Sequence, residues 1–188
     1  FSYFAHFRCR CRFLRMSLIL SSNPMPKHIP SNMSDIEMVI ADPEGSVVAD
    51  AVISGHYKYE GCSWIVEGVG EDFIPTNVDL SLLDDAVTVK DYEAFGTVKE
   101  LLQNEGILAG SSSGTLIGGA IKWCKKQTTP KKVVTFVCDT GNKYLSKAYN
   151  KSWLHDNDLS EKTSSGDLSD LINRRADEGE MIAGASSD

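Results

Sequence analysis

No two of the five cysteines, Cys9, Cys11, Cys62, Cys124 and Cys138, are spaced as a metal or redox pair, because only Arg10 separates the nearest two. Their odd number and scatter exclude a regular disulfide framework and fit a reducing, cytoplasmic setting, with no metal site expected. No apolar run approaches the ~20 residues of a membrane-spanning helix, so no membrane partner is expected. Neither a G-x-G-x-x-G fingerprint nor a Walker loop occurs, which removes the two commonest nucleotide-binding signatures. Acidic residues are missing from the first 30 positions, which carry Arg8, Arg10, Arg12, Arg15 and Lys27. The rest of the chain holds 14 basic against 26 acidic residues, and the whole sums to −7. That balance argues against nucleic acid as a partner.

What remains is enough for a folded domain, with 188 residues of which 41% are hydrophobic. Two kinds of sequence are joined in it. Residues 1–34 read as a leader and linker without a matched fold: arginines mixed with aromatics, then Pro24, Pro26 and Pro30, which forbid regular structure over 21–32. An Arg-rich, acid-free leader also fits an organelle-targeting peptide, although a truncated reading frame or unrelated leader fits better. Residues 161–188 read as a polar linker with one short amphipathic helix over 167–175.

Between them, strands and helices alternate. IEMVIA (36–41) predicts a buried strand ending in the Asp42-Pro43-Glu44-Gly45-Ser46 turn, and residues from Trp64 predict a strand running into Gly68 and Gly70. AVTVK (86–90) predicts a strand, and Asp91 an N-cap for a helix over 92–104 that Gly106 stops. KKVVTFVC (131–138) predicts another strand, followed by a turn and a short helix over 143–150. This alternation implies an α/β fold with a mainly parallel twisted sheet and flanking helices.

Glu105 to Lys126 is the stretch with the grammar of a ligand site. Ile107-Leu108-Ala109 predicts a short buried strand, Gly110 to Gly114 a loop of small residues, and Thr115 onward a helix. Bare amides and the positive end of a helix dipole would meet in that loop. A plainer reading is that Ser113 or Thr115 caps the helix and that Gly118 and Gly119 permit close packing.

Four blocks, ADPEGS (41–46), VEGVGEDFIP (66–75), EGILAGSSSG (105–114) and CDTGNKYLSK (138–147), resemble in order and spacing the C-terminal half of the catalytic domain of cystathionine β-synthase. That family is pyridoxal-phosphate (PLP) dependent, has the tryptophan-synthase β-like fold and is related to the cysteine synthases. The resemblance covers residues 35–160 and implies an incomplete copy of that fold. It implies that Ser112 bonds the pyridine nitrogen, with Gly110, Ser111, Ser113 and Asp139 completing the cofactor side and Gly68, Val69 and Gly70 on the substrate side. A shift of one position would move the contact to a neighbouring serine. The parent reaction joins L-serine and L-homocysteine into L-cystathionine, and the full-length enzyme is expected to be a homo-oligomer acting on small amino acids.

In the family, the lysine that carries the cofactor and the glycine-rich phosphate loop lie upstream of these blocks. Before Asp42 the only lysine is Lys27, in the proline-rich stretch, so no catalytic residue is identified and the chain is expected to be inactive alone. Cys138 stands where the family commonly has proline. Two other readings stay open: a cysteine synthase acting on O-acetylserine and sulfide, whose corresponding loop resembles GAGFIP, and a non-catalytic chain that pairs with a full-length homologue. Asp72 and the DPEGS turn favour the first reading over the cysteine synthase.

Overall fold

The computed structural model describes residues 36–59 and 62–159, together with the backbone of two strands at 3–8 and 16–20. The strands are β1 (Tyr3–Arg8), β2 (Met16–Leu20), β3 (Glu37–Pro43), β4 (Asp85–Val89) and β5 (Lys132–Val137). The helices are α1 (Val48–Ser54), α2 (Asp91–Glu105), α3 (Ser111–Lys126) and α4 (Lys151–Asp156). They build one sheet in the order β1-β5-β2-β3-β4, in which β1 is antiparallel to β5 and every other pair is parallel. The α/β class with a mainly parallel sheet and flanking helices is therefore the observed one. The sheet reaches into residues 1–34, the stretch read as a leader, whose proline-rich part lies outside the described residues, as does the C-terminal linker.

Strand β3 is buried along nearly its whole length because both faces are covered. Val39 and Ala41 face α3, joining Val87, Leu116, Ala120, Trp123 and Val133. Ile40 turns the other way, onto Val48 and Ala49 of α1. Trp123 is fully buried, and its indole donates to Asp85 Oδ2 at 3.0 Å, which satisfies the one polar atom that burial would strand. Helix α2 presents Phe95, Val98 and Leu101 to the core and ends at Gly106, whose φ of 68° is the left-handed stop that the sequence indicates.

Four local expectations change. Ile107-Leu108-Ala109 is not a strand; only Ala109 makes a bridge, to Thr140. The stretch from Trp64 is not a strand; the amides of Ile65 and Val66 donate to the Asp91 carboxylate and not to a ladder. Helix α3 begins at Ser111, so the three serines form its first turn and are not a loop before it. The helix expected over 143–150 is a tight 3-10 turn at Gly141–Tyr144 followed by turns, and α4 starts only at Lys151, capped by Asn150.

Candidate functional site

All strands from β2 to β5 run the same way, so Pro43, Val89 and Val137 end on one edge of the sheet, the edge where open α/β sheets bind ligands. The four sequence blocks meet there. Ser46 Oγ accepts from the Glu71 amide at 3.0 Å and donates to its carbonyl at 3.1 Å, joining the DPEGS turn to the glycine loop. Glu67 of that loop pairs with Lys147 of the last block. Gly110 N donates to Asp139 O at 3.1 Å, and Gly141 N to Leu108 O at 3.0 Å, which lock the start of α3 to the end of β5.

Within this frame the three serines differ. Ser113 is fully buried, and its hydroxyl accepts the Cys138 amide at 3.0 Å, so its oxygen holds backbone in place. Ser111 is buried, 1% exposed, in the same first turn. Ser112, 6% exposed, has the Cys138 thiol as its hydrogen-bonding neighbour. Burial raises the pKa of that thiol, against the lowering effect of the Ser112 and Ser113 hydroxyls, although part of Cys138 still faces solvent. Gly110 must be glycine: a Cβ there would overlap the Asp139 carboxylate and the Tyr144 ring. Tyr144 donates to Asp139 Oδ2 at 3.1 Å, and burial together with the Asp139 charge pushes its pKa up to about 12.

In the glycine loop, Gly68 and Gly70 adopt φ of 79° and 83°. Gly68 is open around its Cα, whereas a side chain on Gly70 would strike Pro43 and Trp64. Val69 is buried, and its carbonyl accepts from the Trp64 indole at 2.7 Å. The loop is thus a fixed shelf with one free glycine at its lip.

Sequence reasoning missed the residues that fix the shelf. Asp91, expected as an N-cap, is the first residue of α2; its carboxylate accepts from the amides of Ile65 at 2.8 Å and Val66 at 3.2 Å. Burial raises its pKa against those two bonds. Tyr149 brackets Ala109, accepting from its amide at 3.2 Å and donating to its carbonyl at 2.6 Å. A sequence spacing of 26 or 40 residues carries no local signal for such contacts.

The sequence profile described as "Pyridoxal-phosphate dependent enzyme" (PALP) matches residues 25–139. The chain belongs to this family. The cystathionine beta-synthase of Saccharomyces cerevisiae is 32% identical over 136 residues, 71% of this chain and 26% of its own length. A cysteine synthase of Buchnera aphidicola is 45% identical over 82 residues, 43% of this chain and 26% of its own length. The cysteine synthase A of Escherichia coli is 35% identical over 116 residues, 61% of this chain and 36% of its own length. The chain thus spans about a quarter to a third of these relatives. Family membership makes pyridoxal phosphate the cofactor to be tested against the residues present.

The site fits the ring end of that group. Ser112 supplies a neutral hydroxyl able to donate or accept, and the bare Gly110 keeps the start of α3 close to Asp139. Asp139 Oδ1 is a buried acceptor with no hydrogen-bond partner, as expected of a site built around a further polar group. No cluster of three metal-ligating side chains occurs among the described residues, nor does any described helix have the length and apolarity to cross a membrane. A cavity of about 600 Å³ lies elsewhere, beside the 44–46 turn.

Proposed function

We propose that this chain is the C-terminal part of a PLP-dependent β-replacement enzyme of the cystathionine β-synthase type, with L-serine and L-homocysteine as substrates and L-cystathionine as product. The observation that carries the reading is the meeting of all four blocks on one sheet edge, with Ser112 at the start of α3. The yeast cystathionine beta-synthase aligns over 71% of the chain and a second Buchnera cysteine synthase over 69% at 35% identity, so the preference rests on Asp72, which follows the glycine shelf where the cysteine synthase loop resembles GAGFIP. The higher identity of the Buchnera cysteine synthase over a shorter stretch supports the sister reading, in which O-acetylserine and sulfide are used.

Pyridoxal phosphate, when bound, withdraws electrons from the substrate's reacting carbon. Ser112 would meet the ring nitrogen with a neutral hydroxyl, which, unlike a carboxylate, would not hold it protonated and would favour replacement at the β-carbon over transamination. Gly110, Ser111, Ser113 and Asp139 set the position of Ser112. Gly68, Val69 and Gly70 line the substrate side, and the free Cα of Gly68 leaves room for an amino acid. The covalent lysine and the phosphate cradle belong to the part of the family upstream of the matched blocks, and the complete enzyme is a homo-oligomer.

The test is a chimera in which residues 36–159 replace the corresponding part of the yeast relative. It should form cystathionine from L-serine and L-homocysteine. Turnover restricted to O-acetylserine and sulfide would establish the sister reading, and PLP binding without either reaction would favour a non-catalytic partner chain. The 188-residue chain alone should give no cystathionine above background with added PLP; robust turnover by it would overturn the assignment of the lysine upstream.

A further inference from the structure

The cavity of about 600 Å³ beside the 44–46 turn has a lining that the cofactor site does not use. Its volume is that of a small-molecule site. It lies on the face of the sheet covered by α1, because Thr88, which lines it, alternates with Val87 and Val89, whose side chains pack with α3 or its neighbouring core. The Ser112 turn starts the helix on the other face.

Residues of both charge signs line this cavity. Glu44 comes from the turn and Asp50 from α1, while His56, Tyr57 and Lys58 follow the left-handed stop of α1 at Gly55. Glu44 is shared with Lys90 at 3.5 Å. Asp50 and Lys58 have no ion-pair partner among the described residues, although both line the cavity. Cys62 closes one side, its Cβ resting against the bare Cα of Gly45. An acid and a base that line one cavity without pairing match a ligand carrying both charges, and the exposed Tyr57 ring offers an apolar wall to its side chain.

We propose that this cavity binds a free α-amino acid as a zwitterion, its ammonium toward Asp50 and Glu44 and its carboxylate toward Lys58, at a site separate from the cofactor contact. The inference stands on this lining alone and holds whichever reaction the enzyme performs.

Cys62 supplies the readout. Its alkylation by iodoacetamide, followed by mass spectrometry of the 188-residue chain, should slow by about tenfold when L-methionine is present at about ten times its dissociation constant. Cys138 serves as the internal control and should react at an unchanged rate. The single-charge analogues 4-(methylthio)butyrate and 3-(methylthio)propylamine should protect poorly. Lys58→Ala and Asp50→Asn change exposed residues, so each should fold and raise the half-protecting concentration of L-methionine by at least about fivefold. Equal protection by a single-charge analogue, protection centred on Cys138, or no protection of Cys62 would each overturn the proposal.

Discussion

Replacing Ser113 by alanine removes the oxygen that accepts the Cys138 amide at 3.0 Å, at a place where the serine itself is fully buried. An amide left without a partner costs about 1–3 kcal/mol, and the lower half of that range applies because Cys138 partly faces water. Ser112→Ala removes a hydroxyl whose neighbour is a thiol, a weak hydrogen-bonding group, so its cost to the fold should stay within about 0.5 kcal/mol. Urea unfolding followed by tryptophan fluorescence should therefore lower the midpoint for Ser113→Ala and leave Ser112→Ala near the parent. In a version of the protein carrying the upstream lysine, the order should reverse for cofactor affinity, with Ser112→Ala losing PLP more readily. Ser112→Asp should retain PLP but shift its absorbance, because a carboxylate holds the ring nitrogen protonated. If Ser112→Ala unfolded early while Ser113→Ala kept full stability and lost PLP, the hydroxyl roles would be exchanged and the contact would belong to Ser113.

Asp42 is 1% exposed, and burial, opposed by hydrogen bonds from the Ala49 amide and Ser46, raises its pKa to about 6. The folded state therefore binds its proton more tightly than the unfolded chain, and stability from this group falls as pH rises from about 4 to 6, by up to about 3 kcal/mol. Asp42→Asn should remove that slope and raise the urea midpoint at neutral pH; an unchanged pH profile would refute the assignment. Two glycines of α3 should respond oppositely to alanine. At Gly118 a Cβ meets Thr97 Oγ1 at 3.2 Å and Val89 Cγ1 at an ordinary 3.6 Å, so the helix-propensity gain of up to about 1 kcal/mol should offset the crowding. At Gly119 it would lie 2.6 Å from Ala41 Cβ in the strand below, and overpacking should cost about 1–3 kcal/mol. Equal unfolding midpoints for the two variants would show that α3 can move away from the sheet.

The elements legible in the sequence are those whose pattern is local. Strand β3 and its following turn, strands β4 and β5, and α2 with its Gly106 stop all follow from hydrophobic runs and turn residues within a few positions. Helix α3 starts at Ser111, four residues before the Thr115 that the sequence indicates, because serine and glycine have low helix propensity and read as loop. Burial against Asp139, Cys138 and Ala94 outweighs that preference and winds Ser111 to Gly114 into α3. The Gly110 to Gly114 stretch is legible as a ligand site from its small residues, whereas the separate roles of Gly110, Ser112 and Asp139 rest on the family resemblance. Their supports, Asp91, Tyr149 and the Ser46–Glu71 pair, depend on chain paths that no local pattern encodes.

The wide sequence separation of the site's ties also sets an order of events as the chain is made. Ser46 can meet Glu71 early, since only 25 residues separate them, and Ser113 meets Cys138 across the same distance. Glu67, however, waits for Lys147, 80 residues later. At ordinary synthesis rates that interval is about 4–16 s, far longer than loop closure or helix formation. The glycine shelf therefore spends seconds tied only by Ser46 and Asp91, before Lys147 is available to Glu67. A translational pause or chaperone contact placed in that window would decide how much of the chain reaches its native edge.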